Sequence, residues 1–254
     1  MVFEKLDKII EVNYSVLTQS TLSIQSIDMP FQVYDTGVVA IGGKPVIPGS
    51  SIKGAMRSTL ESLMAKHLPP KQICLQDANN PEREKKDEYA GKIGRKRACP
   101  AENPCNICKI FGTTGGNRAL SGQAIFTDAI LKNEEDRTKI IERAHVALRR
   151  DNKSQSSGGL MTFQGIDAGV KFDGKVRIIN PEDWMVGAII RGLQTVELLS
   201  LGGKKTAGYG EVSVELTSVL RKEFKASGWE GVEMKKEEID KSISAFNHLL
   251  GMEQ

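Results

Sequence analysis

The sequence lacks several features that would assign a protein to a functional class directly. No apolar run approaches the length of a membrane-spanning helix, and the first residues have no apolar signal-peptide core. The net charge is only +3 over 254 residues, which is too small to indicate nucleic-acid binding by itself. With 39% hydrophobic and 26% charged residues, the composition is that of a globular protein, and we expect it to be cytoplasmic.

Two common catalytic patterns are also missing. Residues 201–210 are rich in glycine, but Lys205 interrupts the Gly-Lys-[Ser/Thr] ending of a Walker A loop. The three histidines have no serine or cysteine at a spacing that suggests a catalytic triad: His67, His145 and His248. Nucleotide hydrolysis on a P-loop and triad chemistry are therefore not predicted.

Cysteine is scarce, and all four cysteines lie in one stretch of the chain: Cys74, Cys99, Cys105 and Cys108. In a reducing cytosol this grouping predicts a metal site, with the Cys-x-x-Cys pair at 105–108 as a knuckle and all four thiolates around one zinc ion. The metal would hold together residues 79–97, which are too charged to form a core of their own. Buried thiols, one disulfide, or His67 in place of Cys74 are the alternatives.

Residues 47–57, Ile-Pro-Gly-Ser-Ser-Ile-Lys-Gly-Ala-Met-Arg, predict a tight turn leading directly into a helix. Ser50 or Ser51 would be the N-cap, and the following apolar residues have helical spacing. A helix start has unpaired N–H groups and the positive end of the helix dipole, so the two hydroxyls with Lys53 and Arg57 favour a phosphate site. An ordinary capped helix is the alternative.

A second candidate anion site is the glycine-rich loop, residues 201–210, with Lys204, Lys205, Thr206 and Tyr209. Glycines let a backbone approach a ligand closely, and successive N–H groups can form an anion nest. The alternative is a flexible connection between a helix and a strand.

The order of predicted elements is β-α-β-β-α-β, which indicates an α+β fold of the ferredoxin-like or RRM-like kind within one domain, residues 1–254. A cysteine-rich insertion covers residues 68–118, an excursion covers 132–173, and an amphipathic helix lies within 233–254. The predicted strands are 8–24, 123–131, 174–179 and 211–220, and the predicted core helices are 51–67 and 181–201, with Pro181 near the first helical position.

The helix start and the glycine-rich loop together resemble the RAMP superfamily of CRISPR-associated proteins, and in particular the backbone (Csm/Cmr-like) subunits of type III effector complexes. Those subunits have Pro-Gly-Ser-Ser-Leu-Lys-Gly at the first helix, where this chain has Ile52 in place of leucine. The resemblance extends over about residues 10–220. It implies a subunit that binds a CRISPR guide RNA and cleaves the paired target RNA at regular intervals. It also implies assembly with other RAMP subunits, including copies of itself, and a structural zinc in the insertion.

The resemblance further implies that the excursion is a thumb hairpin, with Leu160, Met161 and Phe163 as wedge or packing side chains. Its middle reads Arg-Arg-Asp-Asn where relatives often have an Arg-x-Thr-Gly-like turn. His145, in the same excursion, is either an RNA contact or structural. The predicted RNA-binding residues are Ser50, Ser51, Lys53, Arg57, Arg149, Arg150, Lys204, Lys205 and Tyr209.

One aspartate is the predicted catalytic residue. RNA-cleaving members of the family carry Asp-x-Pro upstream of the helix start, and Asp28-Met29-Pro30 matches it. A carboxylate there could hold a divalent cation such as magnesium or help to activate the ribose 2′-hydroxyl. Asp35 is the alternative position, and Asp28 could also be a simple turn residue. An inert RNA-binding scaffold and a guide-RNA-processing endoribonuclease are the alternative functions.

Overall fold

The structure is a computed structural model that describes residues 6–24, 37–69, 72–73, 104–113, 120–148 and 155–252. These ranges contain both helices and antiparallel strands, so the mixed α and β content of the predicted α+β class is confirmed. Among the described helices, none is both long and apolar enough to cross a membrane.

The centre of the fold is strand β1 (Lys8–Thr18). It pairs antiparallel with β10 (Lys171–Ile179) on one side and with β11 (Val212–Lys225) on the other. Apolar residues alternate along β1, so one face of the strand turns toward the core. The side chains on that face are all buried: Ile10, Val12, Tyr14 and Val16.

Short strands extend the sheet on both sides of this centre. Along the main path the order is β12-β11-β1-β10-β7-β3-β2, and β6 also pairs with β10. The added strands are β2 (Ala40–Ile41), β3 (Lys44–Ile47), β6 (Ala124–Phe126), β7 (Ala129–Leu131) and β12 (Gly228–Glu233). Strand β12, which the sequence pattern does not predict, forms an antiparallel hairpin with β11. The Phe224–Trp229 ring pair and the Lys225–Glu230 ion pair lie across this hairpin.

Two helices cover the buried face of the sheet: α1 (Gly49–Ala65) and α3 (Asp183–Leu199). They approach closely because Gly192 has no side chain, and a Cβ there would lie 2.9 Å from the Met56 methyl group. With β1, α1, β6–β7, β10, α3 and β11 in this order, the core follows the predicted β-α-β-β-α-β arrangement.

The C-terminal helix α4 (Lys236–Leu249) packs against α3 and buries Phe246. The position expected for Pro181 is wrong, because α3 begins at Asp183 with Glu182 as its N-cap residue. The Glu182 carboxylate accepts a hydrogen bond from the Trp184 indole N–H at 2.9 Å.

The described end of the 68–118 region belongs to the hydrophobic core. It forms helix α2 (Asn106–Phe111) and the two-residue strand β4 (Gly112–Thr113), which pairs with β5 (Leu120–Ser121) just after the region. Ile107 and Ile110 are fully buried, and the Phe111 ring stacks on Phe126 with 5.7 Å between centroids. Burial of these apolar side chains therefore stabilises the segment that carries the Cys-x-x-Cys pair.

Within the 132–173 excursion, β8 (Ile140–Leu148) and β9 (Gln155–Ile166) form a two-stranded antiparallel sheet of their own. The hairpin joins the rest of the fold at its base, where Leu22 and Ile166 exchange backbone hydrogen bonds of 2.8 and 2.9 Å.

Candidate functional site

The start of α1 differs from the prediction in its cap. Helix α1 begins at Gly49 with Pro48 as the N-cap residue, so neither Ser50 nor Ser51 caps it. The Gly49 N–H donates to the Asp128 carboxylate at 2.8 Å, and the Ser51 N–H donates to the Pro48 carbonyl at 2.9 Å. Gly49 is required because a Cβ there would lie 2.5 Å from the Phe126 carbonyl oxygen. The Pro-Gly pair thus fits α1 against the β6–β7 connection.

Lys53 and Arg57, one helical turn apart on α1, differ in their partners. The Arg57 guanidinium donates to Glu61 at 2.8 Å and to the Gly112 carbonyl at 3.0 Å, which ties α1 to β4. Lys53 is half-buried, and burial, followed by the nearby Arg57 charge, lowers its pKa. A nearby anion would favour the charged form and offset both effects, so a phosphate contact by Lys53 stays a prediction that this environment suits.

The backbone of the glycine-rich loop is pinned to the chain that leaves β1. The Gly203 N–H donates to the Ser23 carbonyl at 2.8 Å, and the Gly210 N–H donates to the Thr21 carbonyl at 2.9 Å. Within the loop, the Leu201 N–H donates to the Gly210 carbonyl at 2.8 Å. These three donors are used inside the protein, so they cannot form the anion nest that the glycines suggested.

The lysines of this loop differ in exposure. Lys205 is exposed at the start of a 3-10 turn, Lys205–Ala207. Lys204 is half-buried, and its ammonium nitrogen lies 3.7 Å from the centroid of the Phe163 ring. Its backbone is left-handed, with φ +57°.

Tyr209 is buried, with 8% of its surface exposed, and its hydroxyl lies 2.9 Å from His145 Nε2. Phe163 is fully buried beside it, so of the two roles predicted for Phe163 the structure supports packing. The structure therefore joins two of the predicted RNA-binding residues, Lys204 and Tyr209, through a phenylalanine on the hairpin. Contact between Tyr209 and RNA stays a prediction.

Cys105 and Cys108 are both buried, as the N-cap residue and the third residue of α2. The Asn106 N–H donates to the Gln72 carbonyl at 3.1 Å, so chain just before residue 74 lies against the knuckle. Within the described ranges, no three His, Cys, Asp or Glu side chains, His67 included, form a group that could hold a metal. Cys74 and Cys99 lie outside those ranges, and the four-cysteine zinc site stays a prediction.

Four further predicted residues lie outside the described ranges: Asp28, Asp35, Arg149 and Arg150. Their roles also remain predictions.

A charged cluster that the sequence pattern does not predict lies on the open face of the sheet, around Glu11. Glu11 is 4% exposed, and it accepts hydrogen bonds from Arg177 at 2.8 Å and Lys222 at 3.2 Å, with Lys175 at 3.9 Å. Burial acts to raise the pKa of Glu11, but the two hydrogen bonds and the Lys175 charge outweigh it and hold that pKa below its ordinary value. The cluster joins β1 to both of its neighbours.

Comparison with known proteins gives one family. Its model, described as the RAMP superfamily, matches residues 36–213. A Methanocaldococcus jannaschii protein named "CRISPR system Cms endoribonuclease Csm3" is 26% identical over 240 residues, which covers 91% of this chain and 84% of the relative. A Streptococcus thermophilus protein of the same name is 26% identical over 180 residues, covering 67% and 69% of the two chains.

Proposed function

This chain belongs to the RAMP superfamily, and from that premise we propose that it is the guide-RNA-binding backbone subunit of a type III CRISPR effector complex. In this proposal it cleaves target RNA at regular intervals and assembles, in the cytoplasm, with other RAMP subunits and with copies of itself. The observation that carries the proposal is the match to an endoribonuclease-named relative over 91% of this chain and 84% of the relative.

The charges at α1 and at the glycine-rich loop support a grip on the RNA backbone. Burial and the Arg57 charge lower the pKa of Lys53, and a nearby phosphate would favour its charged form. Lys205 is exposed in a loop whose backbone is held by hydrogen bonds. Contacts to phosphates carry no sequence information, so base pairing between guide and target would supply the sequence specificity. Ser50, Ser51, Arg57, Arg149 and Arg150 would add further backbone contacts.

The β8–β9 hairpin would act as the thumb. Three of its apolar side chains, Val146, Leu160 and Met161, are about half exposed, at 49%, 53% and 48%. Exposed apolar side chains on a hairpin are suited to insertion between bases or to packing against a neighbouring subunit.

The cleavage step would be a transesterification within the target RNA. The ribose 2′-oxygen bonds to the adjacent phosphorus, the bond from phosphorus to the 5′-oxygen breaks, and the proton moves from the 2′-hydroxyl to the leaving oxygen. The products are a 2′,3′-cyclic phosphate and a 5′-hydroxyl. Asp28 would accept the proton or hold a divalent cation such as magnesium, which supplies positive charge beside the scissile phosphate.

The test uses the assembled complex, with Asp28→Ala as the variant and Asp35→Ala as the matched control. We expect Asp28→Ala to reduce target cleavage by about a thousandfold, the scale of loss of an essential acid–base group, with guide and target binding unchanged. Chelation of divalent cations should stop wild-type cleavage, and the products should end in a cyclic phosphate.

The alternatives give different results in the same experiment. Full cleavage by Asp28→Ala and loss by Asp35→Ala would move the active carboxylate to Asp35. A wild-type complex that binds target RNA without cutting it would identify an inert scaffold. Cleavage of precursor guide RNA by the isolated chain would instead favour the guide-processing endoribonuclease.

We also propose one structural zinc per chain, held by Cys74, Cys99, Cys105 and Cys108. Two buried thiols on a short helix, next to the segment that leads to residue 74, are suitable donors for half of such a site. Elemental analysis should find about one zinc per chain, and Cys105→Ser should make residues 68–118 more sensitive to protease while the RRM-like core stays intact. A metal-free folded protein with four titratable thiols would exclude the site.

A further inference from the structure

The β8–β9 hairpin needs contacts at its base to hold one orientation. Among the described strands, β8 and β9 pair only with each other, apart from the bridge between Leu22 and Ile166. A two-stranded hairpin is marginally stable in water, so the rest of the protein must fix its direction.

Side chains of the glycine-rich loop supply that contact. Phe163 on β9 is fully buried, with the Tyr209 ring at 5.5 Å and the His145 ring at 5.1 Å, both nearly edge-on. His145 and Phe163 share a hairpin face, because β8 and β9 pair Arg143 with Phe163 and His145 with Met161. His145 Nε2 and the Tyr209 hydroxyl then share a hydrogen bond of 2.9 Å across to the loop. The cluster thus spans two elements that are far apart in sequence.

Lys204 completes the contact from the loop side. Its ammonium nitrogen lies over the Phe163 ring, in a cation–π arrangement at 3.7 Å. Lys204 has a left-handed backbone, an unfavourable conformation for a residue with a side chain, which persists only where neighbouring contacts hold it. Its carbonyl accepts the Ala207 N–H at 2.9 Å, so the same residue shapes the turn that presents Lys205.

We propose that His145, Phe163, Lys204 and Tyr209 form a joint that sets the direction of the hairpin relative to the glycine-rich loop. They act as positioning residues for RNA cleavage. The RNA part of this inference rests on the proposed function. RNA bound at the glycine-rich loop would meet the hairpin at a fixed distance, because Lys204 and Tyr209 of the loop contact Phe163 of the hairpin. A loosened joint lets that distance vary, so the cut positions spread along the target.

The experiment removes the hydrogen bond from either side. Tyr209→Phe loses the hydroxyl and keeps the ring, and His145→Leu loses the ring nitrogens. The double variant should show less than the sum of the two single effects, because both single variants remove the same bond while His145→Leu also removes the ring contact with Phe163. His145→Gln, whose amide can reach the hydroxyl, should restore part of the effect. Gln164→Ala is the control, because it removes an exposed hydrogen bond to Glu142 on the opposite hairpin face.

Two measurements separate the joint from the proposed function. In the isolated full chain, backbone hydrogen exchange along β8 and β9 should accelerate about tenfold in Tyr209→Phe and stay at the wild-type rate in Gln164→Ala. In the assembled complex, target RNA mapped at single-nucleotide resolution should show cuts spread to neighbouring positions among the products of Tyr209→Phe, a distribution that is read independently of the total amount of RNA cleaved.

Each outcome decides one of the two ideas. Wild-type exchange rates in both single variants would overturn the joint. Faster exchange with unchanged cut positions would overturn its positioning role. A wild-type complex that does not cut, together with faster exchange in Tyr209→Phe, would support the joint and overturn the proposed cleavage function.

Discussion

The start of α1 and the glycine-rich loop both combine glycine with lysine, the pattern that predicts an anion site, but different groups accept their backbone N–H hydrogen bonds. At α1, one carboxylate from a distant segment, Asp128, accepts the Gly49 N–H. In the loop, backbone carbonyls accept the N–H groups of Leu201, Gly203 and Gly210. One site is held by a charged side chain, and the other is held by the main chain.

The difference shows where a ligand can bind. In both regions the N–H groups named above serve the fold, so the proposed RNA contacts there would use other groups, such as the Lys53 and Lys205 side chains. Two of the loop glycines are needed because backbones pass close together, since a Cβ on Gly210 would overlap the Leu201 carbonyl oxygen and one on Gly202 would overlap the Ser23 carbonyl oxygen. At these two positions glycine indicates close backbone packing.

The largest effect should come from breaking the main-chain support of the loop. Gly210 has φ +80°, so Gly210→Ala combines an unfavourable backbone with a direct overlap. We expect a loss of about 3 kcal/mol or more in the free energy of unfolding. Gly208→Ala is the matched control, because its φ is +85° but a Cβ there would touch nothing within 4 Å, and it should lose only about 1 kcal/mol. Equal losses in chemical denaturation would show that overlap with Leu201 is not what matters.

A smaller effect should follow from removing the carboxylate at α1. Asp128→Ala leaves the Gly49 N–H without its acceptor and should cost about 1 kcal/mol of stability. Asp128→Asn keeps an acceptor for the Gly49 N–H, so it should retain most of the stability. It also removes the negative charge beside the helix start, so RNA should bind a few-fold more tightly, which is about the effect of one charge at a helix terminus. Thermal unfolding and RNA titration measure the two effects. Weaker RNA binding by Asp128→Asn would mean that the carboxylate itself contacts the ligand complex.

The smallest effect on the fold should come from Lys53. Its pKa is lowered, so the folded protein disfavours the charged form; this cost is present below the folded pKa and disappears as pH rises through it. Lys53→Met should therefore preserve stability at neutral pH, and it should reduce the salt dependence of RNA binding by about one unit of slope.

Arg57→Ala is the comparison for Lys53→Met. It should cost about 1 kcal/mol of stability through the lost bonds to Glu61 and Gly112. An unchanged salt slope in Lys53→Met would remove α1 from the RNA-binding surface.

The order of the core elements was predictable because it depends on local periodicity. Ile10, Val12, Tyr14 and Val16 alternate as a half-buried strand does, and they are the buried face of β1. Helix α1 was predicted from its apolar spacing, with an error of two residues at its start. That error arose because the acceptor at the helix start is distant in sequence. Pro48 takes the N-cap position without a side-chain cap, and Asp128 accepts the Gly49 N–H instead.

The candidate site was predictable in its residue types and less so in their roles. The sequence marks Lys204, Tyr209 and His145 as separate candidate RNA contacts. It does not predict that all three contact Phe163, because these contacts join segments tens of residues apart. Glu11 gave no signal at all, because a glutamate in an alternating strand normally faces solvent. Its three cations come from β10 and β11, whose pairing with β1 only folding establishes.

The sequence by itself determined the order of the core strands and helices and the family, because these follow from the spacing of apolar residues and from two short motifs. Only the tertiary structure decided which polar groups are already satisfied. It uses the Gly49, Gly203 and Gly210 N–H groups internally, ties Arg57 to α1 and β4, and covers Phe163 with Lys204. The physical reason is that a hydrogen bond depends on distances of about 3 Å between atoms that the chain brings together only on folding.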